Sequence, residues 1–289
     1  MIVPFKDGVA YASPVLNAAG TFNPALLHTL AEADAFKRAM GALVLKTATR
    51  HPRAGNPQPR TVDLGAVGML NSIGLQNPGL VAMLQTGLPQ AHAHGLPVWL
   101  SVWGDDEAEW AEMAELIASH PHRDKFHVIE ANSSCPNVAH HAMPEFKQAT
   151  AGIRQLRAAL PNTPIMTKLS PAEFGMHGLL AMAEHALAAG STGITAINTL
   201  IGLAMDRTTG EPVLPRKTGG YSGPGIFPVA LASVYKLREQ FAGIPIAGAG
   251  GVSTAQDAQA MLNAGATLVQ VGCASFTQPM RLAELAQAL

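Results

Sequence analysis

Eight times between residue 14 and the C-terminus, a short β-rich run bounded by Gly, Pro or Asn gives way to an Ala/Leu-rich amphipathic stretch. The runs read as strands over Pro14 to Gly20, Gly41 to Ala48, Pro97 to Gly104, Phe126 to Ser134, Pro164 to Ser170, Gly193 to Leu200, Pro245 to Gly251 and Leu268 to Ala274. The stretches between them read as helices. DDEAEWAEMAELIASH is acidic in its first turn, as the helix dipole prefers, and STAQDAQAMLNAGA offers Ser253 as an N-cap. Eight strand-helix units in 289 residues imply an α/β fold of the parallel (β/α)8 or TIM-barrel type. A doubly wound open sheet gives similar alternation and stays the structural alternative. Ahead of the first unit, IVPF and VAYA flank Lys6-Asp7-Gly8, which predicts an N-terminal hairpin able to plug the barrel floor. The connections at about residues 49–76 and 201–226 are too long for turns and belong on the C-terminal face, where loops of that length carry function. No repeat or linker interrupts the pattern, so residues 1–289 read as a single barrel domain.

Apolar residues make up 48% of the chain and charged residues 13%, against a usual charged share of roughly 25%. Disorder is excluded, and burial should be extensive, with a homodimer core expected. Nineteen basic and twenty acidic side chains leave a net charge of -1, so no partnership with nucleic acid or an anionic membrane surface is expected. Lys6 and Asp7 interrupt the place where a signal peptide needs its apolar segment, and no apolar run approaches the roughly 18 residues of a spanning helix. A cytoplasmic protein is expected. Cys135 and Cys273 are too few for a disulfide framework, and the pairs His92/His94, His120/His122 and His140/His141 have no third ligand at metal-site spacing. No metal is expected.

In a barrel of this kind the working residues sit at the C-terminal ends of strands, and here those ends are polar. The first ends Asn17-Ala18-Ala19-Gly20, the second carries Lys46, the fourth ends Asn132-Ser133-Ser134-Cys135-Pro136-Asn137, the fifth carries Lys168, and the sixth ends Asn198-Thr199. One strand-end Asn is more often a turn former, and one Lys is more often solvated, but five such ends converging on one mouth point to a site. The seventh and eighth units add Gly248, Gly250, Gly251 and Gly272 at a strand-to-helix turn, where backbone amides and the helix dipole favour a phosphate. Cys273, inside an apolar run, reads first as a small buried hydrophobe. Cys135 does not, because hydrogen-bonding side chains surround it in sequence.

NSSCPN, LNSIGLQNPG, TKLSP, AINTLIG, KTGGYSGPGI and AGAGGVSTAQDAQAMLNAGATLVQVG together resemble the dihydroorotate dehydrogenases, in family order and over nearly the whole chain. The cysteine of NSSCPN resembles class 1, since class 2 enzymes carry serine there, and IGLQNPG, KLSP and NTLIGLAMDRTTGEPVLPRKTGGYSGP are most similar to subclass 1B. The resemblance implies an FMN-dependent oxidation of dihydroorotate to orotate in pyrimidine biosynthesis, beside an electron-transfer subunit carrying FAD and a 2Fe-2S cluster that passes electrons to NAD. It makes Cys135 the base that removes the C5 proton. Lys46 is implied to pair with the orotate carboxylate, helped by amides at Ile73, Gly74 and Leu75, while Asn71, Asn132, Asn137, Asn198 and Thr199 bond the pyrimidine ring. The FMN phosphate is implied at Gly250, Gly251, Gly272 and Cys273. Ala19, Gly20 and Gly223 would line the flavin, Lys46, Thr47, Asn132 and Ile197 would touch it, and Lys168 would face its isoalloxazine edge.

The chain departs from the subclass pattern at Val138 to Met143, which lacks the usual glycine pair, at AEFGMHG after TKLSP, and at Cys273, where threonine is usual. Two other readings stand beside the first. A dihydropyrimidine dehydrogenase module shares barrel, FMN and loop cysteine but acts on substrates without a carboxylate, which would leave Lys46 with no anion. A flavin-binding barrel without turnover would leave the two lysines, the cysteine and the asparagines unexplained.

Overall fold

The computed structural model describes residues 3–4, 9–23, 33–134, 143–172 and 175–289, without the side chains of residues 3, 4, 10, 33, 143–148 and 277. Fourteen strands occur among the described residues: β1 (Val3–Pro4), β2 (Ala10–Tyr11), β3 (Val15–Asn17), β4 (Leu43–Val44), β5 (Thr61–Asp63), β6 (Met69–Asn71), β7 (Val98–Val102), β8 (Val128–Asn132), β9 (Ile165–Leu169), β10 (Gly193–Ala196), β11 (Leu200–Leu203), β12 (Thr218–Ser222), β13 (Ile246–Ala249) and β14 (Leu268–Val271).

Eight of these form one parallel sheet in the order β3-β14-β13-β10-β9-β8-β7-β4. Its two outer strands meet at a parallel bridge between Leu16 and Ala42, so the sheet closes on itself as a (β/α)8 barrel and the open-sheet alternative falls. All eight strands fall within the runs read from sequence, but they are shorter. The sixth run in particular ends at Ala196, not Leu200, because residues 197–199 leave the barrel and Leu200 opens β11.

Side-chain alternation along the strands explains why the sequence closes this way. Leu100, Val102, Ile129, Ala131, Ile165, Leu169, Val269 and Val271 belong to the large apolar cluster shared with the helices. The alternate positions Trp99, Val128, Met166 and Leu268 form a separate inner cluster with Leu16, Val44 and Tyr11. Tyr11 is fully buried and its hydroxyl accepts from Trp99 Nε1 at 3.0 Å. β1 and β2 pair antiparallel in front of this cluster, so the hairpin does supply a floor plug; its turn, with Lys6 to Gly8, lies outside the described residues. Two residues further along each strand the inward face turns polar, with Ser101, Glu130, Lys168 and Gln270 standing above the apolar floor.

The two long connections fold together. β11, β12, β6 and β5 form an antiparallel sheet in that order, with Asn71 opposite both Gly220 and Thr61. Among the helices, Glu107–Ser119 begins at Asp106, whose side chain accepts from Glu109 N. In Ala255–Asn263 the N-cap is Thr254, not Ser253: Thr254 and Asp257 form a capping box, and Ser253 lies one residue outside it, donating to Asp257 through both its backbone N–H and its hydroxyl. No described helix is long and apolar enough to cross a membrane.

Candidate active site

The C-terminal strand ends and the antiparallel sheet enclose one cavity. It is lined by Ala19, Gly20, Lys46, Thr47, Asn71, Ile73, Gly74, Leu75, Asn132, Lys168, Ile197, Asn198, Thr199, Gly223, Gly250, Gly251, Gly272 and Cys273. Every described residue that the resemblance implies for substrate or flavin is therefore on its wall; Gly248, read with the phosphate glycines, is not, because it lies within β13 and faces the helices, where a Cβ would stand 3.2 Å from Ala266 and Met261. Cys135 and Asn137 lie outside the described residues. Asn17, read as a polar strand end, is not on this wall. Its Nδ2 donates to Val44 O at 2.8 Å and its Oδ1 accepts from Val44 N at 2.9 Å, so its amide takes the place of a peptide in the β3/β4 seam.

The amide-bearing wall is tied together. Asn198 Nδ2 donates to Asn132 Oδ1 at 3.2 Å and to Ser134 O at 2.9 Å, and its Oδ1 accepts from Thr199 N at 3.0 Å. Ser134 Oγ and Ser133 N both donate to Lys168 O, at 3.0 and 3.1 Å. The described start of the NSSCPN segment is thus fixed to the ends of β9 and β10. Asn71 Nδ2 donates to Gly220 O at 3.2 Å, which anchors the overlying sheet to the mouth.

Gly74 and Leu75 both have positive φ, 69° and 53°, a conformation uncommon for a leucine. Asn77 holds it: its Nδ2 donates to Leu75 O and Thr49 Oγ1, each at 2.7 Å, while its Oδ1 accepts from Gly79 N at 2.8 Å and Thr49 N at 3.2 Å. Lys46 packs against Gly20, where a Cβ would stand 2.6 Å from its Cδ and 2.8 Å from its Nζ. The φ of 79° at Gly20 is what favours glycine there, and the lysine end lies close over it. Gly251, at φ 75°, leaves no room either, since a Cβ would lie 2.7 Å from Phe227 N. The cavity wall at Gly250, Gly251 and Gly272 is bare backbone. Burial pushes the Cys273 thiol up, Asp63 adds to the rise, and a hydrogen bond with Ser222 opposes it; Cys273 is half-buried at the cavity, not sealed in the core.

Three residues with evident work here were not singled out from sequence: Asn77, Glu130 and Gln270. Glu130 and Gln270 each interrupt an apolar strand run, VIEAN and LVQV, on the inward period of two, and that alternation is the signal that finds them. No group of three or more His, Cys, Asp or Glu able to hold a metal occurs among the described residues.

A closed (β/α)8 barrel with two lysines, an amide-rich wall and a glycine-built wall in one mouth defines a barrel enzyme for a small, anionic, hydrogen-bonding ligand. The family model described as dihydroorotate dehydrogenase matches residues 6–289. The chain is 38% identical over 288 residues to the dihydroorotate dehydrogenase B (NAD(+)) catalytic subunit of Bacillus pumilus strain SAFR-032, covering 98% of this chain and 88% of that one. It is 37% identical to the protein of that name from Geobacillus kaustophilus strain HTA426, covering 94% and 84%, and 39% identical to that of Latilactobacillus sakei subsp. sakei strain 23K, covering 86% and 80%. The chain belongs to the dihydroorotate dehydrogenase family, and is an oxidoreductase of that family.

Proposed function

We propose that this chain is the FMN-bearing catalytic subunit of a class 1B dihydroorotate dehydrogenase, oxidising dihydroorotate to orotate. The observation that carries the reading is the gathering, in one cavity, of both lysines, three asparagines and the three bare glycines from six different barrel strand ends and one long loop. The residues present fit a flavin mononucleotide. Gly250, Gly251 and Gly272, with Cys273, offer backbone amides and no obstructing side chain to a phosphate, and Ala19, Gly20, Thr47, Ile197 and Gly223 give the small wall a flat ring needs.

Dihydroorotate loses a proton from C5 and a hydride from C6. FMN held at Gly250, Gly251, Gly272 and Cys273 would supply the hydride acceptor. Lys46 pairs with the carboxylate, with the amides of Ile73, Gly74 and Leu75 beside it, and Asn71, Asn132, Asn137, Asn198 and Thr199 meet the ring amides and carbonyls. Cys135 takes the C5 proton as thiolate. Lys168 supplies positive charge where negative charge accumulates on reduction. The names of the relatives support a partner subunit, whose FAD and 2Fe-2S cluster would supply the route for electrons to NAD(+); a cytoplasmic location and a homodimer core belong to the same reading.

Anaerobic addition of dihydroorotate to the purified chain tests it, with dihydrouracil as the comparison. Bleaching by dihydroorotate and not by dihydrouracil is expected. A flavin that dihydroorotate leaves yellow would make the chain a binding barrel, and equal bleaching by both would make it a dihydropyrimidine dehydrogenase module.

A further inference from the structure

Glu130 is the one fully buried acid in the described barrel interior, and the chemistry above does not use it. It stands on the inward face of β8 with the apolar floor residue Val128 on one side and Asn132 of the cavity wall on the other. Its Oε2 accepts from Gln270 Nε2 at 2.7 Å and Thr195 Oγ1 at 3.2 Å, and its Oε1 from Ser101 Oγ at 3.4 Å. Lys168 Nζ is 3.9 Å from Oε1 and donates to Gln270 Oε1 at 3.5 Å. Ser101 Oγ in turn shares a hydrogen bond of 2.9 Å with Thr47 Oγ1, and Asn132 Nδ2 reaches Thr47 Oγ1 at 3.5 Å. The carboxylate therefore collects groups from β7, β9, β10 and β14 and connects the storey beneath the cavity to four residues on its wall, Lys168, Gln270, Thr47 and Asn132.

A buried ion pair is weak as a source of stability, because desolvating two charges offsets their attraction, and apolar residues of similar volume often do as well. The barrel already has an apolar storey directly below. What an apolar replacement cannot do is hold a lysine at a fixed place on the cavity wall and set the net charge there. We propose that Glu130 is a positioning residue and counter-charge for Lys168: it anchors the ammonium at the cavity wall and makes the pair neutral, which would hold the potential of a flavin bound there below the value that an uncompensated lysine would impose. The proposal rests on the reading that a flavin occupies this cavity. A lower potential favours handing electrons onward, which a catalytic subunit working through a partner requires.

The test is a cycle of Glu130→Gln, Lys168→Met and the double variant. In the flavin-loaded proteins, spectroelectrochemical titration is expected to show a higher potential in Glu130→Gln, a lower one in Lys168→Met, and a double variant close to wild type, because the pair's net charge is zero in both. Glu130→Gln with an unshifted potential, or a double variant whose potential lies as far from wild type as either single variant's, would overturn the proposal. A second readout needs no flavin. The charged group facing Glu130 among the described residues is Lys168, with uncharged Ser101, Thr195 and Gln270 around it and Lys46 elsewhere on the same cavity wall. Removing the cation as Lys168→Met leaves a buried carboxylate uncompensated in the apoprotein, and the penalty falls only on its charged form. The variant's stability deficit against wild type is therefore larger at high pH than at low pH. Denaturant midpoints for the two apoproteins at pH 5 and pH 8 are expected to diverge at the higher pH. Parallel pH profiles would show that the two groups are not coupled and would overturn the proposal even if Glu130→Gln fails to fold. A chain that binds no flavin, yet shows the divergence, would leave the pair intact and refute the flavin reading alone.

Discussion

At the scale of single residues, the proposed function needs groups that read charge and a group that moves a proton. Lys46 lies at the break in the second barrel run, after β4, with its chain packed over Gly20. Removing it as Lys46→Ala is expected to weaken orotate binding by about 1.5–3 kcal/mol, the scale of a charge-assisted contact, and uracil binding far less, because uracil has no carboxylate. Equilibrium titration of the two ligands against the bound flavin's spectrum checks this, and equal losses would transfer the carboxylate to another residue. Cys135→Ala is expected to lose on the order of a hundredfold in the rate of flavin reduction by dihydroorotate, with flavin retained and orotate still bound. In the unaltered protein that rate should rise with pH and level above the thiol's pKa, since only the thiolate accepts the proton. Stopped-flow reduction isolates this half-reaction from the acceptor, and an alanine variant reducing flavin at the unaltered rate would remove Cys135 from the chemistry.

At the scale of elements, the capping box at Thr254 and Asp257 fixes where the helix after β13 begins, and so where the Gly250-Gly251 turn must end. Burial works against the Asp257 carboxylate, but hydrogen bonds from the backbone and side chains of Ser253 and Thr254 hold its pKa below the ordinary aspartate value. A depressed folded pKa contributes stability that is fully present above the unfolded value, near 3.9, and is lost as pH falls through the folded one. Thr254→Ala is expected to cost about 1 kcal/mol, and Asp257→Asn should destabilise at pH 7 with a deficit that shrinks at pH 3; guanidinium midpoints at both values test this, and a deficit independent of pH would remove the carboxylate's charge from the account. Ser253 and Thr254 are both good caps by residue type, so only backbone geometry separates them. The same limit recurs in the loops. The eight barrel strands are legible because each run is short, apolar and followed by a helical period. The β5, β6, β11, β12 sheet is not, because it pairs segments about 150 residues apart through Gly-rich runs such as TGGYS and LIGL that carry little strand propensity. Lys46, Asn132, Lys168 and Asn198 are legible because they stand at strand ends, where the fold puts chemistry. Glu130 and Gln270 are hidden in mid-strand, where a polar residue identifies itself only once the inward face is known.

At the scale of the whole molecule, the barrel must close between its first and second strands, and there the backbone ladder is thin. β3 and β4 have three and two residues, and the β-bridge between their segments joins Leu16 to Ala42. Gly41 N also donates to Val15 O at 2.9 Å. The Asn17 amide completes the seam by bonding both the N–H and the C=O of buried Val44, so a side chain does what a further register pair would otherwise do. An asparagine can do this because it carries the same donor and acceptor as a peptide group, and an open seam would leave two unpaired strand edges in the barrel wall. Asn17→Ala strands two buried backbone groups, each costing about 1–3 kcal/mol when unsatisfied. The variant is expected to lose about 2–6 kcal/mol of stability by denaturant unfolding and to show faster amide exchange at Val44 than at strands on the far side, such as β9. Lys46→Ala, two residues past β4 but with no part in the seam, should stay near the unaltered stability. An Asn17→Ala variant within about 0.5 kcal/mol of the parent, the range of ordinary surface substitutions, would mean that the seam is held by its backbone bonds alone.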